Sequence, residues 1–191
     1  FDEVIPGFGR LGKPFASDYF GVVPDIMTFA KGVTSATVPM GGVVVRKHVF
    51  DAFMSSAASE YFIELFHGYT YSGHPLAAAA SIATLDLYRE EEIFENAERL
   101  APYFEDALHS LKGLPNVVDI RNLGIMGAVE LAPRPGAPAT RAYDVFVGCF
   151  EKGVMVRQSG ETLAMSPPLI AQKHHIDELV GTFSDELKRV A

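Results

Sequence analysis

The chain has 191 residues, of which 48% are hydrophobic, and a formal net charge of −8. This length accommodates one large domain or two small ones, and the negative charge disfavours nucleic acid and anionic membranes as partners. The sequence contains no run of about 18 apolar residues, so we predict no membrane-spanning helix. The single cysteine, Cys149, excludes a disulfide within the chain and a cysteine metal cluster, so no metal site is expected and a reducing, cytoplasmic compartment is favoured.

Two apolar segments near the start of the sequence each end beside charged residues. The first runs into the acidic pair Asp2-Glu3, and the second, residues 22–30, ends on Lys31 and is followed by small residues. Strand ends of this kind place a carboxylate and an amine on the same rim of a parallel sheet, where open α/β sheets bind ligands. An amine held there in apolar surroundings is a candidate nucleophile. The sequence begins without Met inside what resembles a core strand, which predicts the C-terminal part of a longer protein.

Residues 7–12 spell GFGRLG, which fits the G-x-G-x-x-G pattern of dinucleotide-binding proteins. That site requires a helix directly after the last glycine, but Lys13 and Pro14 follow here. Asp25, at about the right distance for a ribose carboxylate, starts a strand and does not end one. The pattern therefore favours a turn-rich loop over a dinucleotide site.

The next stretch predicts a strand, a loop and a long helix. Residues 38–49 contain a valine run typical of a buried strand, with Arg46 and Lys47 as a solvated strand end, whereas residues 55–66 show no clear period. The loop HGYTYSGHP at 67–75 leads into a helix at 76–91, and Pro75 suits its first turn. Such a loop suits a phosphate, although this stretch by itself favours a simple helix cap by Ser72.

The remaining sequence predicts helices alternating with short strands. An amphipathic helix over 92–111 places Ile93, Ala97, Leu100, Phe104 and Leu108 at helical spacing. We place a domain boundary near this point, between residues 1–90 and 91–191. Further along, we predict strands at 117–120, 125–131, 154–157 and 163–166, and helices at 142–152 and 171–190.

Several spaced motifs together resemble one family. These motifs are D-E-x-x-x-G-F-G-R-x-G from Asp2, P-D-I-x-x-x-A-K-G ending at Gly32, the P-x-G that follows, HGYTYSGHP at 67–75 and VRQSGETLAMSPPL at 156–169. They resemble the class III aminotransferases, and within them the ω-amino acid:pyruvate (β-alanine:pyruvate) transaminases. The resemblance implies an α/β protein of fold type I. Residues 1–90 would be part of the large, mostly parallel-sheet domain that binds pyridoxal 5′-phosphate, and residues 91–191 the small C-terminal α+β domain.

The resemblance also assigns roles to five residues. Lys31 matches the lysine that forms the Schiff base with the cofactor and moves the proton, and Asp2 matches the carboxylate that pairs with the pyridine nitrogen. Val4 matches the apolar residue packed on the ring face. Thr70 matches a threonine that reaches the cofactor phosphate of the neighbouring subunit, which implies a homodimer or dimer of dimers with a shared active site. Arg157 matches the arginine that holds the substrate carboxylate.

Physical reasoning from the residues alone gives weaker support. An isolated lysine or arginine is usually a solvated surface residue or part of a surface ion pair, so Lys31 and Arg157 depend on their context. Pro6 departs from many relatives, which carry a small polar residue there, and a proline reshapes the loop after Asp2 by removing an N–H donor.

The predicted function is transfer of an amino group from a β- or ω-amino acid, or an amine, to pyruvate. Other class III activities remain open: ornithine, γ-aminobutyrate or diamine transaminase, or an aminomutase. A catalytically idle dimerisation module is a second class, and a nicotinamide-dependent oxidoreductase built on GFGRLG is a third. The missing upstream half would carry most of the phosphate cup and the aromatic residue stacked on the ring, so this segment alone is not expected to be active.

Overall fold

The computed structural model describes residues 1–55, 61 and 70–191. These residues form two compact units. The first unit contains Phe1–Gly9 and Lys13–Ile93, and the second contains Arg10–Gly12 and Phe94–Ala191. Three residues of the glycine-rich motif therefore belong with the second unit, although their sequence neighbours on both sides belong with the first.

Where the structure describes it, the first unit combines a small sheet with three helices and one 3₁₀ turn. Its elements are α1 (Ala16–Phe20), β1 (Ile26–Ala30), the 3₁₀ turn (Lys31–Thr34), β2 (Gly41–Val45), α2 (Lys47–Ser55) and α3 (Pro75–Glu90). β1 and β2 pair antiparallel, with Ile26 opposite Val45 and Ala30 opposite Gly41. On the other side of β1, Asp2 pairs with Thr28 in the parallel sense, as the sequence predicts for the first two segments.

The predicted buried strand at 38–49 is wrong in its length and burial. β2 covers five residues, and its valines are exposed, with Val43 at 61%. Lys47 does not end a strand but begins α2, where its ammonium pairs with the Asp51 carboxylate one turn on, at 2.7 Å. Pairs four residues apart stabilise a helix in this way, and this spacing was the local signal for α2. Most of the stretch 55–66 lies outside the described residues.

The second unit is a four-stranded antiparallel sheet with helices. Its helices are α4 (Ile93–His109), whose first residue lies in the first unit, α5 (Thr140–Glu151) and α6 (Lys173–Arg189). Its strands are β3 (Val117–Leu123), β4 (Met126–Leu131), β5 (Arg157–Ser159) and β6 (Thr162–Met165), in the spatial order β3-β4-β6-β5. All of the helices and strands predicted beyond residue 91 are present, with shifted ends.

A continuous hydrophobic core fills the second unit. The apolar stripe predicted on α4 is buried, and Phe104 and Leu108 have no exposed surface. They pack in one cluster with Val129 of β4, Leu163 of β6 and Phe183 of α6. Burial of this stripe explains why the helical period in the sequence predicts α4 so well.

The glycine-rich motif is a series of turns. Only a five-residue helix follows it, beginning at Ala16, so the helix that a dinucleotide site requires directly after Gly12 is missing. The Arg10 carbonyl instead accepts a hydrogen bond from the Ile125 N–H at 3.1 Å. The loop predicted from the sequence is therefore confirmed.

Candidate functional site

Asp2 and Lys31 lie towards the carboxyl ends of two neighbouring parallel segments of the first unit. The Glu3 N–H donates to the Thr28 carbonyl at 2.8 Å, and the Thr28 N–H donates to the Phe1 carbonyl at 3.0 Å. These two bonds set Asp2 beside Thr28 in parallel strands. Lys31 follows three residues after Thr28, which corresponds to roughly 10 Å along the strand direction.

The Asp2 carboxylate is exposed, and one of its oxygens accepts a hydrogen bond. Its Oδ1 atom accepts the Val4 N–H at 2.9 Å. Among the described residues no donor reaches its second oxygen. Asp2 can therefore accept a further N–H from a ligand without losing its present contact.

Val4 lies beyond the extended segment that contains Asp2. Regular pairing ends at Glu3, and Val4 begins a series of turns, half-buried. The Val4 N–H bonds back to Asp2 because the chain turns there. The alternation rule therefore says nothing about the direction of the Val4 side chain.

Lys31 opens the 3₁₀ turn with an unusual backbone conformation. Its φ is +49°, in the left-handed region that non-glycine residues rarely adopt. The side chain is exposed, and within the described part of the chain its ammonium has no hydrogen bond or ion pair. Two hydroxyl bonds fix the loop that follows, from Thr34 to the Val38 carbonyl at 2.6 Å and from Thr37 to the Thr34 carbonyl at 2.7 Å. The amine thus stands on an ordered turn, and no described residue supplies a counter-ion that would have to be displaced.

Glu3 has a part that the sequence interpretation missed, because Asp2 and Glu3 were treated as one acidic pair. Glu3 is completely buried, and its two carboxylate oxygens accept the N–H groups of Ala16 at 2.9 Å and Ser17 at 2.8 Å. Adjacent strand residues point to opposite faces, and this rule could have separated the two roles. Glu3 orders the loop between Asp2 and α1, whereas Asp2 faces solvent.

The loop before α3 differs in its cap from the sequence prediction. Pro75 is the first residue of α3, as predicted, but the N-cap is His74, without a side-chain bond, so the cap assigned to Ser72 is wrong. Thr70 is exposed and lies in the turn that precedes the helix. Residues 67–69 of the predicted loop lie outside the described residues.

Arg157 lies in the second unit and begins a strand, where the sequence predicted that it ends one. It is the first residue of β5 and pairs with Ala164 of β6. Val154 and Val156 are buried just before it, so their apolar run belongs to the core and not to the sheet ladder. The Arg157 side chain is exposed and has no hydrogen bond or ion pair to the residues that the structure describes.

Arg10 supports the hairpin that carries Arg157. Its Nη1 atom donates to the carbonyls of Ser166 and Pro167, at 3.4 and 2.5 Å. These carbonyls come directly after β6, the strand that pairs with β5. No local pattern predicts this contact, because the partners are more than 150 residues apart.

Other kinds of site find no support in the described ranges. Across them, no group of His, Cys, Asp and Glu side chains could hold a metal ion, and no helix has the length and apolar character needed to cross a membrane. Cys149 is free and buried, and burial with the nearby Glu186 charge raises the pKa of its thiol to about 11. Cys149 is therefore an inert core residue and not a nucleophile.

Comparison with known proteins gives consistent matches. Residues 1–187 match the family Aminotransferase class-III. The chain is 53% identical over 190 residues to an omega-aminotransferase of Caulobacter vibrioides and 43% identical over 191 residues to a beta-alanine–pyruvate aminotransferase of Pseudomonas aeruginosa. Each match covers 100% of this chain and 43% of the relative. The crystal structure of a thermostable (S)-enantioselective omega-transaminase from Thermomicrobium roseum superposes with a TM-score of 0.89 at 34% identity, covering 99% of this chain and 42% of that one. The chain thus spans less than half the length of these relatives.

Proposed function

Because this chain belongs to the class III aminotransferases, we propose that it supplies the reactive residues of a pyridoxal-phosphate-dependent transaminase. The transaminase moves an amino group from a β- or ω-amino acid, or an amine, to pyruvate. The observation that carries the proposal is the pair Asp2 and Lys31, towards the carboxyl ends of two neighbouring parallel segments, each with an open functional group. The names of the similar proteins support this choice of substrates.

The donor set fits the cofactor. Lys31 offers an amine with no partner among the described residues for an aldehyde carbon, and Asp2 offers a carboxylate oxygen that none of those residues uses for the N–H of a protonated ring. When bound, pyridoxal phosphate supplies an aldehyde that holds the amino group and a ring that withdraws electrons from the carbon beside it. Val4 we assign to the face of that ring, as the family resemblance implies.

Lys31 and Asp2 then divide the proton chemistry. With the cofactor bound, the Lys31 Nζ atom would take a proton from the substrate carbon as a base and would deliver it to the cofactor's aldehyde carbon as an acid. No ion pair to a described residue has to break before it does so. The Asp2 carboxylate keeps the ring nitrogen protonated, because a negative charge in contact with that nitrogen favours its charged form.

Arg157 binds the substrate carboxylate. A guanidinium offers two parallel N–H donors that match a carboxylate, and this guanidinium has no partner among the described residues. Arg157→Ala should raise the KM for pyruvate about tenfold to a few hundredfold, since a charged hydrogen bond contributes roughly 1.5–3 kcal/mol. The half-reaction of a simple amine donor should change much less. Arg121→Ala, which removes an arginine already paired with Asp119 and Glu130, is the control. Equal losses in both half-reactions would show that Arg157 does not bind the carboxylate.

Thr70 contributes to the site of a partner subunit in a homodimer. Its exposed position before the start of α3 suits a phosphate contact. Mixing Thr70→Ala subunits with Lys31→Ala subunits tests this, because each mixed dimer then has one site with both lesions and one intact site. Activity should return in the mixture. Mixed dimers that form and stay inactive would disprove the shared site.

A donor screen of the full-length protein tests the activity as a whole. With pyridoxal phosphate bound, β-alanine, longer ω-amino acids and simple amines should each be tried with pyruvate, and at least one should yield alanine. Bound cofactor without any alanine would favour the idle module. Binding of NAD without pyridoxal phosphate would favour the oxidoreductase. The cytoplasmic location stays a prediction.

A further inference from the structure

We propose that Tyr88 is a positioning residue for Lys31, whose backbone turn it holds through the carbonyl of Gly32. The inference rests on the proposed function, because Lys31 is taken as the residue that carries the cofactor. Tyr88 lies near the end of α3, 57 residues after Lys31 in the sequence, and no motif in the sequence connects the two.

The contact is a direct hydrogen bond to the backbone beside Lys31. The Tyr88 hydroxyl donates to the Gly32 carbonyl at 2.7 Å, and the tyrosine is buried. The same carbonyl accepts the Ser35 N–H at 3.2 Å, which closes the 3₁₀ turn. The Gly32–Val33 peptide, one residue beyond Lys31, is therefore held from α3 as well as from within its own turn.

Packing restricts the same peptide. A Cβ atom on Gly32 would lie 2.6 Å from the Cβ of Phe8, so only glycine fits this close approach. The Phe8 ring in turn stacks on the Tyr88 ring, with centroids 6.3 Å apart and an interplanar angle of 29°. Gly32 therefore has little freedom to rotate, because Phe8 packs against it and the Tyr88 hydroxyl bonds to its carbonyl.

The conformation of Lys31 makes this restraint important. The left-handed φ of +49° costs free energy for a residue with a Cβ, and such strain persists only where surrounding contacts enforce it. The flexible Lys31 side chain has no polar partner in the described residues that would fix its tip. Its direction therefore depends on its backbone, and Tyr88 is one of the groups that hold that backbone.

Removal of one hydroxyl group tests the contact. Tyr88→Phe keeps the stacked ring and its burial, and leaves the Ser35 N–H on the Gly32 carbonyl. Thr84→Val is the matched control: it removes a buried hydroxyl one turn earlier in α3, whose bond, to the Ala80 carbonyl at 2.8 Å, stays within the helix. Both variants should fold with urea midpoints close to that of the wild type.

Two measurements on the full-length holoenzyme separate the effects. Amide hydrogen exchange of the peptide covering residues 30–37 should become faster in Tyr88→Phe, and not in Thr84→Val. The single-turnover rate with an amine donor should fall about 10- to 100-fold in Tyr88→Phe, because a small misplacement of a reacting group has effects of that size. A donor deuterated at the reacting carbon should show a larger isotope effect in that variant, since proton transfer to Lys31 becomes more rate-limiting.

The outcomes are distinct from those that test the proposed function. The role of Tyr88 would be overturned if Tyr88→Phe and Thr84→Val had the same exchange rates and the same isotope effects. That result would leave the proposed role of Lys31 intact. A wild-type protein in which reductive trapping finds the cofactor on another lysine would overturn both. Faster exchange together with the larger isotope effect, in Tyr88→Phe alone, is the result that supports the inference.

Discussion

The two units each bury a glutamate, and they compensate its charge in different ways. In the first unit Glu3 is surrounded by backbone, and its oxygens accept the N–H groups of Ala16 and Ser17. In the second unit Glu186 forms ion pairs with Lys152, at 2.8 Å, and with Arg189, at 2.5 Å. One carboxylate orders a loop beside the candidate site, and the other joins α6 to the residue that follows α5 in a packed domain.

The two units also differ in what is buried around these glutamates. The second unit has a continuous apolar core of buried side chains from all of its helices. In the first unit β2 and α2 expose most of their apolar residues, while buried polar side chains such as Thr34, Thr84 and Tyr88 bond to backbone carbonyls. We therefore expect substitutions at the candidate site in the first unit to change reaction rates, and core substitutions in the second to change stability.

Asp2→Asn should have the largest effect on rate and almost none on stability. The variant keeps Oδ1 as an acceptor for the Val4 N–H, so the unfolding free energy should stay the same. The negative charge opposite the ring nitrogen is lost, and kcat should fall by several orders of magnitude. Single-turnover kinetics and urea unfolding of the full-length protein provide the two readouts. Near-normal turnover would remove Asp2 from the mechanism.

Phe104→Ala should have the reverse profile. The ring is completely buried in the core of the second unit, so its truncation should cost about 3–5 kcal/mol of unfolding free energy. Phe150→Ala, in the same unit but 62% exposed, should cost less than about 1 kcal/mol. Urea unfolding measures both. Similar losses at the two sites would mean that the core of this unit is not the source of its stability.

A smaller effect distinguishes two helical glycines of the second unit. A Cβ atom on Gly148 would lie 1.8 Å from Oε2 of Glu186, whereas one on Gly181 meets no atom within 4 Å. Gly148→Ala should therefore destabilise the protein by about 1–3 kcal/mol, because the buried carboxylate has to move. Gly181→Ala should stabilise it by about 0.5–1 kcal/mol, since alanine favours a helix. Thermal or urea unfolding should give opposite signs, and equal signs would contradict this account of Glu186.

The acid limb of the stability curve should depend on Glu186. Burial raises the pKa of this carboxyl, but hydrogen bonds from Lys152 and Arg189 lower it more, so it lies below its ordinary value in the folded protein. A lowered pKa gives stability above about pH 4.3, the value in unfolded chains, and that stability is lost as the pH falls through the folded pKa. The unfolding free energies of the wild type and Glu186→Gln should thus converge in acid. Glu178→Gln, at an exposed position of α6, is the control. A constant difference between Glu186→Gln and the wild type would contradict the ion pairs.

Local patterns predicted much of the fold and the two strand ends of the site. The helical spacing of Phe104 and Leu108 marked the core, and the charged residues after apolar runs marked Asp2 and Lys31. Contacts between distant residues left no local pattern, as with the bond from Tyr88 to Gly32 and that from Arg10 to Pro167.

Some errors have a different physical origin. The valine run at β2 resembles a buried strand, but burial depends on what covers a strand, and these side chains are exposed. The ends of a short strand depend on which residues pair with the neighbouring strand. Arg157 is the first residue of β5 to pair with β6, so it begins a strand, where the sequence pattern predicted a strand end.

Reductive trapping of the cofactor tests the central claim most directly, namely that Lys31 carries it. The full-length protein should be loaded with pyridoxal phosphate, reduced with borohydride, digested and mapped by mass spectrometry. We predict a pyridoxyl adduct on Lys31, and no adduct in Lys31→Ala. An adduct on Lys13 or Lys47 in the wild-type protein would contradict the claim.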